Sequence, residues 1–377
     1  MDKAYKKKVL IVGAGLSGVT IARVLAEENI NVTVIDKRDH FAGNIYDFKN
    51  ENNERLHKYG PHLLHCNKKS ESLSFLSRFT EWITYEHKVR ALLDDGRTTP
   101  LPINKTTLED IYKKKFINEI QVKEFLEKIR NKNILPKNTD ELFESSVGNK
   151  LADIFFRPYT RKMWGIDPKE LEISIGARLP VRTNDDSRYF GDSFQALPKD
   201  GYTKMIERML AHRNINLFLN TSYNHGMESQ YDHAFLCNPI DKFFNFEYGH
   251  LPYRSIIFEH RKVKNENLPA PVINFTDNSK YTRKTQWSLF PNSGGLENEY
   301  KTLTYEIPCA IEDNPGEYYY PVQTNKSKIL YEKYKKLAKS KNNITFCGRS
   351  GLFKYIDMIP AVTIHKRIAI NFLKNRC

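Results

Sequence analysis

The run VLIVGAGLSG, residues 9–18, constrains the fold more than any other stretch of this 377-residue chain. Residues 9–12 read as a short buried strand that ends in glycines, and residues 16–28 carry the pattern of a helix. VTVID, residues 32–36, reads as a second, parallel strand. A G-x-G-x-x-G placed between strand and helix has a specific physical use. Gly13 permits the tight turn, Gly15 lets the backbone approach a pyrophosphate at the positive helix end, and Gly18 lets helix and strand close up. Ser17 lies in the same turn. Asp36, at the end of the second strand with Lys37 beside it, can accept from a ribose hydroxyl. A Rossmann-like dinucleotide-binding unit is expected.

Two further features point to FAD rather than NAD, which stays the alternative. KRDHFAGNIYD supplies a second glycine turn, Gly43 and Asn44, directly after the second strand. Late in the chain NITFCG, residues 343–348, reads as a returning strand with a glycine turn, and YDHAFLCNPID, residues 231–241, as another. From about residue 70 to 175 the pattern is charged and helical, with no strand evident. RSIIFEHRKV, APVINFTD, KTLTYEIP and YYYPV then read as strands of an antiparallel sheet. The expected fold class is α/β in three parts. A Rossmann-like FAD-binding domain takes residues 1–75, 193–245 and 335–377. An inserted helical domain takes 76–170, and an antiparallel β-sheet domain takes 171–192 and 246–334.

Composition narrows the classes. Forty per cent apolar and 28% charged residues describe a globular chain. No run of 18 apolar residues occurs, so no membrane span is expected, and the apolar run after the basic start is too short for an export signal. The five cysteines are scattered without C-x-x-C spacing, which suits a reducing cytoplasm. The formal charge of +14 is spread along the chain, so no nucleic-acid partner is expected. The same field would attract a polyanionic small substrate or an acidic membrane surface.

Ordered landmarks extend the reading over nearly the whole chain: HKYGPHLLHCN (57–67), PYTRKMWG (158–165), ARLPVR (177–182), DDSRYF (185–190), YRS (253–255), YTR (281–283), YEIP (305–308) and GRSGLFKYIDM (348–358). In these the chain resembles the UDP-galactopyranose mutases. The resemblance implies an FAD enzyme, active when reduced, that interconverts pyranose and furanose rings of a nucleotide-linked sugar for cell-surface polysaccharide synthesis. In the family's scheme the flavin N5 attacks the anomeric carbon and displaces the nucleotide diphosphate.

Site residues follow from the matched motifs. Arg178 and Arg283 would meet the diphosphate, with Tyr189, Tyr320 and Tyr355 as hydroxyl donors. Arg178 would lie on a closing lid. Phe155 and Tyr159 would stack on the nucleobase, with Trp164 beside the sugar. Arg254 is expected on the substrate side, one layer out. His62 would lie against the flavin and Glu306 near the sugar. Arg349 would face the flavin, Asp357 would act there or cap the final helix, and Met358 would touch the cofactor. Without the resemblance, a given tyrosine is more often core than ligand, and a lone arginine is usually a solvated surface charge. No metal site is expected, because His57, His62 and His65 lack accompanying ligands at suitable spacing.

Departures from the family pattern also matter. Ala42 replaces a glycine, which asks this position to keep φ < 0. KTQWSLF after YTR, and Ile359 after YIDM, replace charged or hydrogen-bonding residues. These two changes are either structural, which leaves UDP-galactopyranose as the expected substrate, or they mark a different sugar, a 6-deoxyhexose in dTDP-fucopyranose, which is the alternative. An FAD-dependent amine oxidase and a non-enzymatic nucleotide-binding protein are the other classes to test. Bacterial members are often dimers, so a homodimer is carried over. The basic charge suggests proximity to membrane glycosyltransferases.

Overall fold

The computed structural model describes residues 7–177 and 180–375. A five-stranded parallel sheet forms the base, in the order Ile215–Phe218, Asn31–Ile35, Lys8–Val12, His233–Leu236, Ile344–Phe346. Its strands are short and nearly all apolar because helices cover the sheet, as a parallel sheet requires. Helix Leu16–Glu27 packs beneath the sheet against the final helix, Met358–Lys374. The strand order reverses around Lys8–Val12, so the carboxyl ends of the central strands open a crevice, the usual ligand position in such sheets.

A seven-stranded sheet stands above that crevice. Its order is Tyr320–Pro321, Tyr253–Lys264, Tyr300–Ala310, Arg283–Gln286, Val272–Phe275, Val89–Leu92, Thr98–Leu101. All pairings are antiparallel except that of Val272–Phe275 with Val89–Leu92. The β-type runs read from the sequence all fall in this sheet. The helical insertion differs from expectation at its start, because Trp82–Thr84, Val89–Leu92 and Thr98–Leu101 are strands within residues 76–170. Three or four residues are too few to display a period of two, and a proline inside TTPL argues against a strand unless it lies at an edge. Thr98–Leu101 is such an edge.

The helices of the insertion start where the sequence provides caps. Asn104, Asn118 and Asn138 each accept the backbone N–H of the third helical residue, at the starts of Lys105–Tyr112, Glu119–Ile129 and Thr139–Val147. The segment 171–192, expected in the sheet domain, carries a short helix Ile173–Gly176 and no strand among its described residues. Among the described residues no helix is long and apolar enough to cross a membrane.

Candidate active site

The glycine cradle forms as the spacing demands. Gly13 has φ +111°, and a Cβ there would meet the Cβ of Cys237 at 2.9 Å. Gly15 and Gly43 approach so closely that a Cβ on Gly43 would lie 2.8 Å from the Gly15 Cα. Ala42 corrects the sequence expectation: its φ is +71°, left-handed, and its N–H donates to the Ala14 carbonyl at 2.9 Å. The close pairing of the two turns imposes this conformation, at a cost of about 1–2 kcal/mol for a residue with a Cβ. Asp36 accepts the N–H groups of Ala14 (2.8 Å) and Arg38 (3.0 Å). Lys37 lines the cavity, but its ammonium donates to the Gly316 carbonyl at 2.6 Å. Arg38 pairs with Glu317 at 2.5 Å and lies 4.3 Å over the Tyr59 ring, so the 316–317 loop is tied across the end of the second strand.

One continuous cavity of about 870 Å³ runs from this cradle to the seven-stranded sheet. It is lined by Gly13, Gly15, Ser17, Gly18, Asp36, Gly43, Asn44, His62, Arg349, Asp357 and Met358 on the cradle side. Phe155, Tyr159, Trp164, Tyr189, Arg283, Tyr320 and Tyr355 line the far side. The end beyond Asp36, walled by Thr221, Tyr223, His225, Lys242, Phe243 and Phe246, was missed by sequence reasoning. Tyr223 and Phe246 sit in loops and Phe243 ends the one-turn helix Ile240–Phe243, in two segments that no sequence pattern links.

Helix Arg157–Trp164 continues from a π-helical turn, Ala152–Phe156, and presents Phe155 and Tyr159 to the cavity, four residues apart. Strands Arg283–Gln286 and Tyr300–Ala310 pair with Arg283 opposite Glu306. The Arg283 Nε donates to Glu306 at 2.7 Å, and the glutamate side chain is 1% exposed. Burial works against the Arg283 charge, but Glu306 and Tyr159 hold its pKa above the ordinary arginine value. Burial pushes Glu306 up while Arg283 pulls it down. Its other oxygen, Oε1, has no hydrogen-bond partner among the described residues and points at Gly60. Tyr320 stacks on Tyr355 at 5.6 Å, and the Arg349 guanidinium lies 4.7 Å over the Tyr355 ring.

The three histidines of HKYGPHLLH divide. His57 Nδ1 accepts the His62 N–H at 3.0 Å, and His62 Nδ1 lies 2.8 Å from the Gly60 carbonyl. Burial drives both imidazoles down to about 3, so they are neutral at physiological pH. His65, which also lines the cavity, lies between Asp192 (2.7 Å) and Asp357 (3.2 Å) and stacks on Phe190 at 3.7 Å. Burial opposes its charge, but the two carboxylates raise its pKa above the ordinary value. Asp357 also caps the final helix through the Met358 N–H at 2.7 Å.

Several expectations need correction. Glu306 stands behind Arg283 and does not line the cavity. Arg254 needs no such correction: one layer out from the cavity, it donates to the carbonyls of Met163 (3.1 Å) and Lys162 (3.2 Å) at the end of helix Arg157–Trp164. Trp287, in KTQWSLF, is 1% exposed and donates to Thr304 at 2.6 Å behind His57. Ile359 packs on the core under the sheet. Neither lines the cavity, so these two substitutions repack the interior and carry no argument for a different sugar. Arg178 lies outside the described residues.

A dinucleotide turn leading into a crevice that ends at a buried arginine defines a nucleotide-dependent enzyme of the Rossmann-like class. Residues 11–79 match the family model for an NAD(P)-binding Rossmann-like domain, and residues 154–355 match that for UDP-galactopyranose mutase. A probable UDP-galactopyranose mutase of Klebsiella pneumoniae is 35% identical, covering 98% of this chain and 95% of its own. A dTDP-fucopyranose mutase of Escherichia coli is 34% identical, covering 98% and 99%. In fold the chain is similar to a crystal structure of reduced UDP-galactopyranose mutase, with TM-score 0.78, 17% identity and coverage of 98% and 94%. It belongs to the UDP-galactopyranose mutase family and is an isomerase of the mutase type.

Two outcomes follow from the buried charges. Glu306→Ala strands the Arg283 guanidinium, and denaturant unfolding should show a loss of about 3 kcal/mol; a loss below about 1 kcal/mol would mark the pair as no stronger than a surface bridge. His57, His62 and His87 are held near 3 by burial, against about 6.5 in the unfolded chain. As pH falls below about 6.5 the unfolded chain takes up protons the folded one refuses, so stability drops by up to about 4 kcal/mol per pH unit for the three. His65 acts oppositely: its contribution is complete below about 6.5 and is lost only as pH rises through its raised folded value, so it does not offset the fall below 6.5. The thermal midpoint should therefore stay nearly level from pH 7.5 to about 6.5 and fall steadily from there to about 5.5. A flat profile would show that the imidazoles are hydrated.

Proposed function

We propose that this chain binds FAD along the cavity, works with the flavin reduced, and interconverts UDP-galactopyranose and UDP-galactofuranose. The observation that carries this reading is the continuity of one cavity from the glycine cradle to the Arg283–Glu306 pair. The cradle fits a dinucleotide: its turns pack so closely that neither Gly13 nor Gly43 has room for a Cβ, and the backbone of both turns lines the cavity. A bound reduced flavin supplies the nucleophile for the anomeric carbon.

The chain's own residues meet the charge that builds on the departing diphosphate. Arg283, fixed by Glu306, presents a cation that does not reorganise during the reaction. Burial raises the phenol pKa of Tyr159 and Tyr320, so both keep the proton they donate in hydrogen bonds. His57 and His62 are neutral, so neither serves as a proton donor of ordinary acidity to the leaving group. Its stabilisation falls to the arginines and phenols, with Arg178 proposed as the second cation. Phe155 offers a face to the nucleobase, and the Phe190–His65 stack closes the opposite wall.

Arg283→Ala should lower turnover by about two to three orders of magnitude with flavin retained. Gly43→Ala should abolish flavin uptake, read as loss of visible absorbance. The near-equal identities to a UDP-galactopyranose mutase and a dTDP-fucopyranose mutase keep the 6-deoxy sugar as the second reading. Dithionite-reduced protein incubated with each sugar nucleotide, followed by chromatography for the furanose, separates them. Turnover of dTDP-fucopyranose alone would overturn the galactose assignment, and net substrate oxidation with oxygen uptake would overturn the mutase.

A further inference from the structure

Two cysteines that the reaction does not use meet in the floor of the cradle. Strands His233–Leu236 and Ile344–Phe346 are parallel neighbours with Leu236 opposite Phe346, so the next residues, Cys237 and Cys347, are side by side. Their Sγ atoms lie 3.3 Å apart. Cys237 lines the cavity, while Cys347 is fully buried beneath it. The Cys237 Cβ is wedged between the turn of Gly13 and that of Gly348: a Cβ on Gly13 would meet it at 2.9 Å, and one on Gly348 at 3.1 Å. Both glycines have positive φ, +111° and +70°, so neither turn gives way by accepting a side chain.

We propose that Cys237 and Cys347 form a reversible disulfide beneath the cofactor turns, and that this bridge and the bound cofactor exclude one another. The competition with FAD rests on the function proposed above; the bridge itself does not. A disulfide needs its sulfurs about 2.05 Å apart, so closure draws the pair together by roughly 1.2 Å and shifts Cys237 against Gly13 and Gly348. Cofactor phosphates lying over those turns would in turn shield Cys237 from an oxidant. Burial pushes the Cys347 thiol well above the ordinary value, which leaves Cys237, open to the cavity, as the sulfur that meets the oxidant first.

The oxidant is hydrogen peroxide, which a reduced flavin generates with dioxygen. Cys237 sulfur attacks the peroxide: an S–O bond forms, the O–O bond breaks, and the departing hydroxide takes the thiol proton as water. Cys347 sulfur then attacks the sulfenic sulfur: the S–S bond forms, the S–O bond breaks, and a second water leaves with the Cys347 proton. Two thiols and one peroxide give one disulfide and two waters.

The full chain is treated with hydrogen peroxide, with and without FAD, then denatured, thiol-counted and peptide-mapped. The apo chain should lose two thiols and two hydrogens of mass, with the Cys237 and Cys347 peptides joined, and dithiothreitol should restore both. Cys347→Ser should stop at a sulfenic acid on Cys237 that dimedone traps. FAD should slow bridging, and the bridged chain should bind FAD about tenfold more weakly, since coupling between two events is reciprocal. Oxidation at Cys66 or Cys309 with Cys237 and Cys347 still reduced would overturn the bridge. Equal FAD affinity in the two states would overturn the competition. Failure of the reduced apo chain to take up FAD would instead sink the flavin reading and leave the peroxide result standing.

Discussion

Much of the site depends on an arginine held against a carboxylate that water does not reach. The Arg283–Glu306 contact, 2.7 Å long with the glutamate side chain 1% exposed, exists because two antiparallel strands register these residues opposite each other. At the surface the same pair would contribute almost nothing. Buried, it costs desolvation on both partners, and that cost is met only while both are present. The result is a guanidinium whose position is set before any ligand arrives. The phenols of Tyr159 and Tyr320 gather around it, and their raised pKa values follow from the same burial.

The opposite wall is arranged on a different principle. His57 and His62 hydrogen-bond through the loop backbone and stay neutral, whereas His65 shares its two ring nitrogens between Asp192 and Asp357. Three imidazoles within nine residues thus take different charge states because their neighbours differ. Through Asp357 the His65 contact also reaches the start of the final helix, whose His365 accepts the Gly348 N–H at 2.7 Å. The last turn of the cradle and the wall nearest the substrate end are therefore fastened to one helix.

The sequence was most legible where backbone geometry excludes alternatives. Gly13, Gly18 and Gly43 could be assigned because almost any side chain there collides with a neighbour. It was least legible where a residue's role depends on what packs against it. Ala42 was expected at negative φ, and only the clasp of the two turns explains +71°. Trp287 and Ile359 look like altered ligands in a motif comparison, yet one packs behind His57 and the other under the sheet. Arg254 reads as an arginine one layer out from the substrate, and only the fold shows what it holds there, the carbonyl end of a cavity-lining helix. The aromatic pocket beyond Asp36 comes from two separated segments, residues 221–225 and 242–246, that no local pattern joins.

By itself the sequence determined the dinucleotide turn, most strands of the parallel sheet, the longer strands of the antiparallel one, and the residue types that could serve a diphosphate. These follow from local spacing: where a Cβ fits, and which period the apolar residues keep. Tertiary structure decided which arginine receives a buried carboxylate, which histidine carries charge, and that Cys237 and Cys347, 110 residues apart, lie in contact. Those outcomes depend on register and dielectric, which arise only when distant strands are brought side by side and water is excluded between them.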